Sequence, residues 1–362
     1  MKRFVAFVLA LTLLCTSGAL AATNSQKIIS EYSEGLASMK KNGLNGYLDT
    51  KGEWAIKPQF DIASAFNNGM AYVTKGEEKF YVDTTGEVLV NVTAYDFWGY
   101  YEDLCRVSQW VQDETGEGQV RMYGYIDKTG EVVLPLKYRL ANNFGCGVAV
   151  VAETQDELIL IDKTGAKVAA MEIENPGEYF NWGSLTALYG EDLCVLKNYE
   201  KDVLHVFDKQ GKLVFTLEGS AASVKNVYQE GMFAIRDKAG RVGYANKQGE
   251  LVIDFYYMAK GMDSDFSEGL ACVGDEIKGV MKYGYIDAQG NEVIKPRFED
   301  ARAFSCGLAA VKENGKWGFI DHEGNYVIEA QYNLVRGFES GVAIVDKGQD
   351  WYIIDTAGNI IY

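Results

Sequence analysis

The chain has 362 residues, with 51 acidic against 35 basic side chains and a formal net charge of −16. A chain this acidic, with no clustered stripe of Lys and Arg, is excluded as an electrostatic binder of nucleic acid and is repelled by anionic membranes. Beyond the N-terminus, no segment approaches the roughly 18 consecutive apolar residues of a membrane-spanning helix.

Residues 1–21 read as a secretory signal peptide. Lys2 and Arg3 form a positive n-region, residues 4–14 an apolar core, and Ala19-Leu20-Ala21 a small-x-small cleavage site. Its removal takes the formal charge from −16 to −18. The expectation is a secreted or cell-wall-associated protein with no membrane insertion once the signal is cleaved. Residues 22–27 form a short N-terminal segment. With only four prolines and no long Ser/Gly tract to serve as a linker, residues 28–362 are expected to form one continuous repeat domain.

That domain writes one pattern nine times, as "YLDTKG", "YVDTTG", "YIDKTG", "LIDKTG", "VFDKQG", "YANKQG", "YIDAQG", "FIDHEG" and "IIDTAG". The anchors are Asp49, Asp83, Asp127, Asp162, Asp208, Asn246, Asp287, Asp321 and Asp355, spaced by 34 to 46 residues. A second signature alternates with the first, as in "YSEGLASM", "FNNGMAYV", "FSEGLACV", "FSCGLAAV" and "FESGVAIV". Self-similarity at this period means a repeat architecture. Each unit reads as three short strands. D-x-x-G joins the second to the third, with the aspartate bonding backbone two residues on and the glycine taking the positive-φ place of the turn. The strands are apolar on both faces, so one unit cannot cover itself and must be covered by its neighbours. The glycine of "YGY" and "WGF" is expected to leave room for a neighbour's ring.

The fold class expected is therefore an all-β repeat protein of about nine units of short antiparallel strands in a curved or superhelical array. A closed β-propeller-like ring is the alternative. It ranks second because nine units exceed the usual range of about 4–8 blades.

"GKWGFIDHEGNYVIEAQYN" and its sister units resemble the WG-repeat family of bacterial β-repeats, whose pattern runs close to G-[KR]-[WY]-G-[YF]-I-D-x-x-G-x-x-V-I-x-P-x-[YF]-D. The resemblance is strongest over residues 46–73, 124–151 and 284–345. In this register Trp-Gly itself stands at Trp317-Gly318, with Tyr, Asn or Val before the glycine in other units. The resemblance implies an interaction scaffold and carries over no active site.

Enzyme signatures are absent from the sequence. His205 in "VLHVFD" and His322 in "DHEG" occupy different repeat positions, and there is no GxSxG, HExxH, P-loop or Rossmann glycine pattern. One carboxylate per turn falls short of a calcium site, and no CxxC offers a zinc site. No catalytic residue, metal ligand or cofactor is therefore assigned. Five cysteines follow the signal: Cys105, Cys146, Cys194, Cys272 and Cys306. Each falls in a small slot of the repeat, where cysteine serves as a small buried hydrophobe.

What departs from the pattern are the stretches after the second and fourth anchors. The first carries "AYDFWGYYEDLC" and "SQWVQDETGEGQVRM", the second "NPGEYFNWGSLTALYGEDLC". Insertions in repeat arrays collect on one face, often the binding face. Aromatic rings beside amides and carboxylates suit stacking on sugars or anchoring a protein partner. The candidate ligand-binding residues are therefore Trp98, Tyr100, Tyr101, Trp110, Tyr179, Phe180 and Trp182. The functional expectation is an exported, non-enzymatic binding scaffold for an extracellular protein or glycan. The rival readings are a carboxylate-based carbohydrate hydrolase and a self-assembling wall or surface component.

Overall fold

The computed structural model describes residues 27–28, 30–113, 116, 118–180, 186–190, 193–198, 201, 203–218, 229–237, 239–260, 264–348 and 350–362. Residues 1–21, read above as a signal peptide, lie outside the described residues. What is described is almost wholly antiparallel β-structure.

Among the described residues, six of the nine units have four strands rather than the three expected. In the most regular one they are Asp300–Ser305, Leu308–Glu313, Lys316–Ile320 and Tyr326–Tyr332, paired in chain order. The added first strand can be as short as two residues, as at Ile62–Ala63 and Leu334–Val335, too short to leave a periodic signal. The two middle strands are buried on both faces, as the sequence indicates. The outer strand alternates instead: Val327 is 46 % exposed while Ile328 is 5 %. Its outer face meets no neighbouring unit.

The D-x-x-G turns form as their chemistry dictates. Asp83 Oδ1 accepts the N–H groups of Thr85 and Glu87, both at 2.9 Å, and Gly86 takes φ +88°. Asn246 does the same work in the sixth unit, accepting from Gln248 and Glu250 at 3.0 Å. The glycine of the aromatic strand has a different role from the one expected. A Cβ on Gly318 would lie 2.6 Å from the Ile328 carbonyl oxygen and 2.7 Å from the Ala330 nitrogen. The atoms that demand glycine here belong to the outer strand of the same unit. The register shifts between Trp317 and Phe319, so the outer strand bulges over Gly318.

Among the described residues the strands form eight hydrogen-bonded sheets. One of them, spanning residues 233–298, is six-stranded and holds both the sixth and seventh units, joined by the pairs Met258–Gly274 and Ala259–Val273. Counted by sheets, the array has eight blades; counted by repeat units, nine.

It is also closed. Nine apolar clusters each lie between consecutive units. The ninth joins Val342, Ile344 and Ile353 of the last unit to Tyr32, Ala37, Met39 and Leu48 of the first. Arg336 meets Glu31 at 3.1 Å across the same seam. The curved array expected from the sequence is therefore corrected to the closed β-propeller ring that was its alternative. Blade count gave the wrong ranking because a ring closes when the rotation per unit sums to a full turn. Two of the nine units share one six-stranded sheet, so the ring is built of eight sheets.

Units are tied together by aromatic rings whose polar ends are satisfied. Tyr285 packs edge-on against Phe304 of the next unit, with centroids 4.9 Å apart, and its hydroxyl donates to the Arg302 carbonyl at 2.7 Å. Tyr47 donates likewise to the Ser64 carbonyl and Tyr244 to that of Ser264. Burying these phenols is tolerable because each O–H keeps a partner. Nearer the turns, Ser33, Ser267 and Ser305 donate to the carbonyls of Phe66, Phe304 and Phe338 in the following units.

Cysteine usage is split. Cys105, Cys194 and Cys272 are buried, as expected. Cys146 and Cys306 instead hold the left-handed position before a turn glycine, with φ of 54° and 55°, and Cys306 is exposed. The expectation of burial fails for these two because that turn projects its side chain from the sheet end.

Candidate functional site

Because strands alternate in direction, every D-x-x-G turn lies at one face of the ring, together with the turns of the F-x-x-G signature. Salt bridges confirm the proximity: Lys128 of one turn type meets Asp103 of the other at 2.7 Å. The opposite face carries the hairpins between second and third strands and the crossovers between units. Both departures from the pattern modify that second face, and a cleft opens beside each.

The first cleft, of about 370 Å³, is lined by Lys79, Thr93, Ala94, Tyr95, Asp96, Ser108, Gln109 and Trp110. It exists because one hairpin is longer than the rest, with strands Leu104–Gln112 and Gln119–Ile126 where a regular unit has Met70–Lys75 and Glu78–Asp83. Trp110 and Arg121 stand opposite each other in this hairpin. The Arg121 guanidinium lies 5.7 Å from the Trp110 ring centroid and 5.8 Å from that of Tyr123. It donates to Asp96 Oδ2 and to Ser108 Oγ, both at 2.8 Å. Trp110 remains 51 % exposed. An exposed indole is thus flanked by a cation that is itself fixed at two points.

The second cleft, of about 410 Å³, lies between the connection after residue 170 and the third and fourth strands of the fifth unit, Val203–Asp208 and Leu213–Glu218. Glu172, Glu174, Glu178, Lys201, His205 and Thr216 are among its lining residues. Lys201 pairs with Glu178 at 2.5 Å, and His205 Nδ1 lies 3.1 Å from Thr216 Oγ1. Burial, helped by the charge of Lys201, holds the His205 imidazole below its ordinary pKa, so the neutral form is favoured. Among the described residues, no group of three or more His, Cys, Asp or Glu side chains is placed to hold a metal ion.

The seven residues nominated from sequence do not form one patch. Trp110 is exposed in the first cleft. Tyr101 is 41 % exposed, but lies at the other end of its sheet, opposite Leu104 beside the turn. Tyr100 is a correction. It is 2 % exposed, stacks edge-on to Tyr81 at 4.8 Å and donates to the Asp127 carbonyl, so it packs in the core and not on the surface expected. Its place is that of Tyr32, which donates to the Asp49 carbonyl in the first unit. "YYEDLC" is the regular "YSEGLA" in another dress, and the stretch around it is an ordinary inner strand, Asp96–Tyr101. Trp98 lies on that strand, and Tyr179 and Phe180 end the short 3-10 helix Pro176–Phe180. The side chains of these three, and Trp182 altogether, fall outside the described residues.

Sequence reasoning missed Asp96, Ser108 and Arg121. Folding "SQWVQDETGEGQVRM" back on itself about its Gly-rich tip brings Arg121 opposite Trp110, so that pair had a signal. Asp96 had none, since it belongs to a strand 25 residues away from Arg121.

Five segments match the family model described as "WG containing repeat": residues 46–78, 123–153, 243–274, 283–317 and 317–351. No curated protein matches the chain. Solved structures similar to it include BamB from Moraxella catarrhalis, at 12% identity and a TM-score of 0.42, covering 91% of this chain and 98% of that one. Another is the computationally designed Ika8 protein, at 13% identity and a TM-score of 0.39, covering 92% and 95%. A third is Kluyveromyces lactis Hsv2, at 10% identity and a TM-score of 0.40, covering 82% and 98%. At these scores the likenesses carry no argument about what the chain does.

Proposed function

We propose that this WG-repeat chain is an exported, non-enzymatic binding scaffold, and that it engages an extracellular glycan or protein through the hairpin face of its ring. The observation that carries the reading is Trp110, half exposed at the rim of a cleft and flanked by Arg121. An apolar ring of that size left in water on an extended hairpin is the kind of anchor binding surfaces use. The second cleft, at the other irregular connection of the same face, supports it.

The test is co-sedimentation of residues 22–362 with bacterial cell-wall sacculi, insoluble polysaccharides and immobilised extracellular proteins, at low and physiological salt. Retention that survives physiological salt, without release of soluble sugar, is the expected result. Release of reducing ends from a retained polymer would replace the scaffold reading with a hydrolase. No retention, together with a mass that climbs with protein concentration, would replace it with a self-assembling component.

A further inference from the structure

Of the two clefts, the one beside Trp110 has the chemistry to specify a ligand class. We infer that it is a saccharide subsite, taking an uncharged pyranose ring against the Trp110 indole. This rests on the scaffold reading above and names its ligand.

The lining decides among ligands. Thr93 and Gln109 bring a hydroxyl and an amide and Lys79 an ammonium, Ser108 is buried with its hydroxyl held by Arg121, and the clearly apolar contribution is confined to Ala94, Tyr95 and Trp110. A peptide anchored by an aliphatic or aromatic side chain wants a deep apolar pocket, which this lining does not make. A pyranose has what this cleft complements: a face of C–H groups for the indole, and a rim of hydroxyls for short polar side chains. At about 370 Å³ the space is at the small end of the range of small-molecule sites.

Charge points to a neutral sugar. The Asp96 carboxylate and the Arg121 guanidinium are paired with each other at 2.8 Å, so their charges offset each other beside the ring and Lys79 is the remaining charged side chain of the lining. A chain of formal charge −16 repels polyanionic glycans at a distance. The platform is also set in advance. Arg121 is fixed by Asp96 and Ser108 and lies against Trp110, which limits the rotamers the indole must give up on binding.

The experiment is titration of the full mature chain with soluble cello-, chito- and malto-oligosaccharides, followed by tryptophan fluorescence and calorimetry. Binding to at least one series is expected. Trp110→Ala should weaken it at least tenfold, Trp110→Phe less, and Arg121→Ala by an intermediate factor through loss of positioning. Tyr256→Ala, which alters an exposed ring outside the cleft, should leave it unchanged. Near-UV circular dichroism and the melting temperature of each variant report on folding. Oligosaccharide binding unchanged in Trp110→Ala would overturn the subsite while leaving the scaffold reading intact. So would retention on immobilised protein with no binding to any sugar. Failure of both retention and titration would overturn the two together.

Discussion

Tyr362 packs on Gly52. A Cβ on Gly52 would stand 2.6 Å from Tyr362 Cβ, although the two residues belong to the last and first units of the chain. The same relation recurs around the ring, because each turn glycine packs on the outer strand of the preceding unit: Gly86 on Ile56, Gly130 on Val90, Gly290 on Ile253 and Gly358 on Ile328. The seam between the last and first units is therefore one more repeat interface, built with the parts of the others.

If that is so, apolar packing and not the ion pair holds the seam. Ile344→Ala removes a buried side chain from the closing cluster and should cost about 2–5 kcal/mol. Arg336→Ala breaks an exposed pair with Glu31 and should cost less than about 1 kcal/mol. Urea unfolding of both variants checks the ranking. An equal loss for the two would mean that electrostatics closes the ring.

Two glycines to alanine separate steric from conformational demand. At Gly318 the added methyl meets outer-strand backbone at 2.6 Å, which cannot move without losing the bulge; a loss of about 1–3 kcal/mol or more is expected. At Gly341 the space is open and only the φ of +79° opposes a side chain, at about 1–2 kcal/mol. Melting temperatures of the two variants should fall in that order.

The turn aspartates predict a direction for acid sensitivity. The Asp127 carboxyl sits below the ordinary range because the Thr129 hydroxyl and the N–H groups of Thr129 and Glu131 donate to its charged form, against a smaller opposing effect of burial. Its folded pKa is lowered, so its contribution is complete above the unfolded value of about 3.9 and disappears as pH falls through the folded one. Asp127→Asn keeps the acceptor, as Asn246 does naturally, and should be nearly neutral at pH 7 while removing this share of the acid sensitivity. Asp127→Ala should cost about 1 kcal/mol at pH 7, discounted for exposure. Unfolding midpoints between pH 7 and pH 3 measure both.

His205 supplies the other pH marker. With its folded pKa depressed by burial and by Lys201, the fold is favoured above the unfolded histidine value of about 6.5 and loses that advantage as pH falls through the folded value. A titration of its ring carbons by NMR should find a midpoint below that of a free imidazole. Lys201→Met should move the midpoint up, by less than full exposure of the ring would.

What the sequence determined by itself is whatever a turn or a strand settles within a few residues. D-x-x-G sets its own hydrogen bonds between positions i, i+2 and i+4, so all nine anchors could be read directly, and the repeat followed. Even the burial of Tyr100 was written in "YYEDLC" beside "YSEGLA". Closure is different. It depends on rotation accumulated over nine units and shows only in contacts such as Arg336 with Glu31, 305 residues apart. No local pattern encodes that sum. The cleft likewise needed the sheet, because Asp96, Ser108 and Arg121 come from three strands and meet only once these pair side by side. Sequence gave the exposed tryptophan, and tertiary structure gave it neighbours.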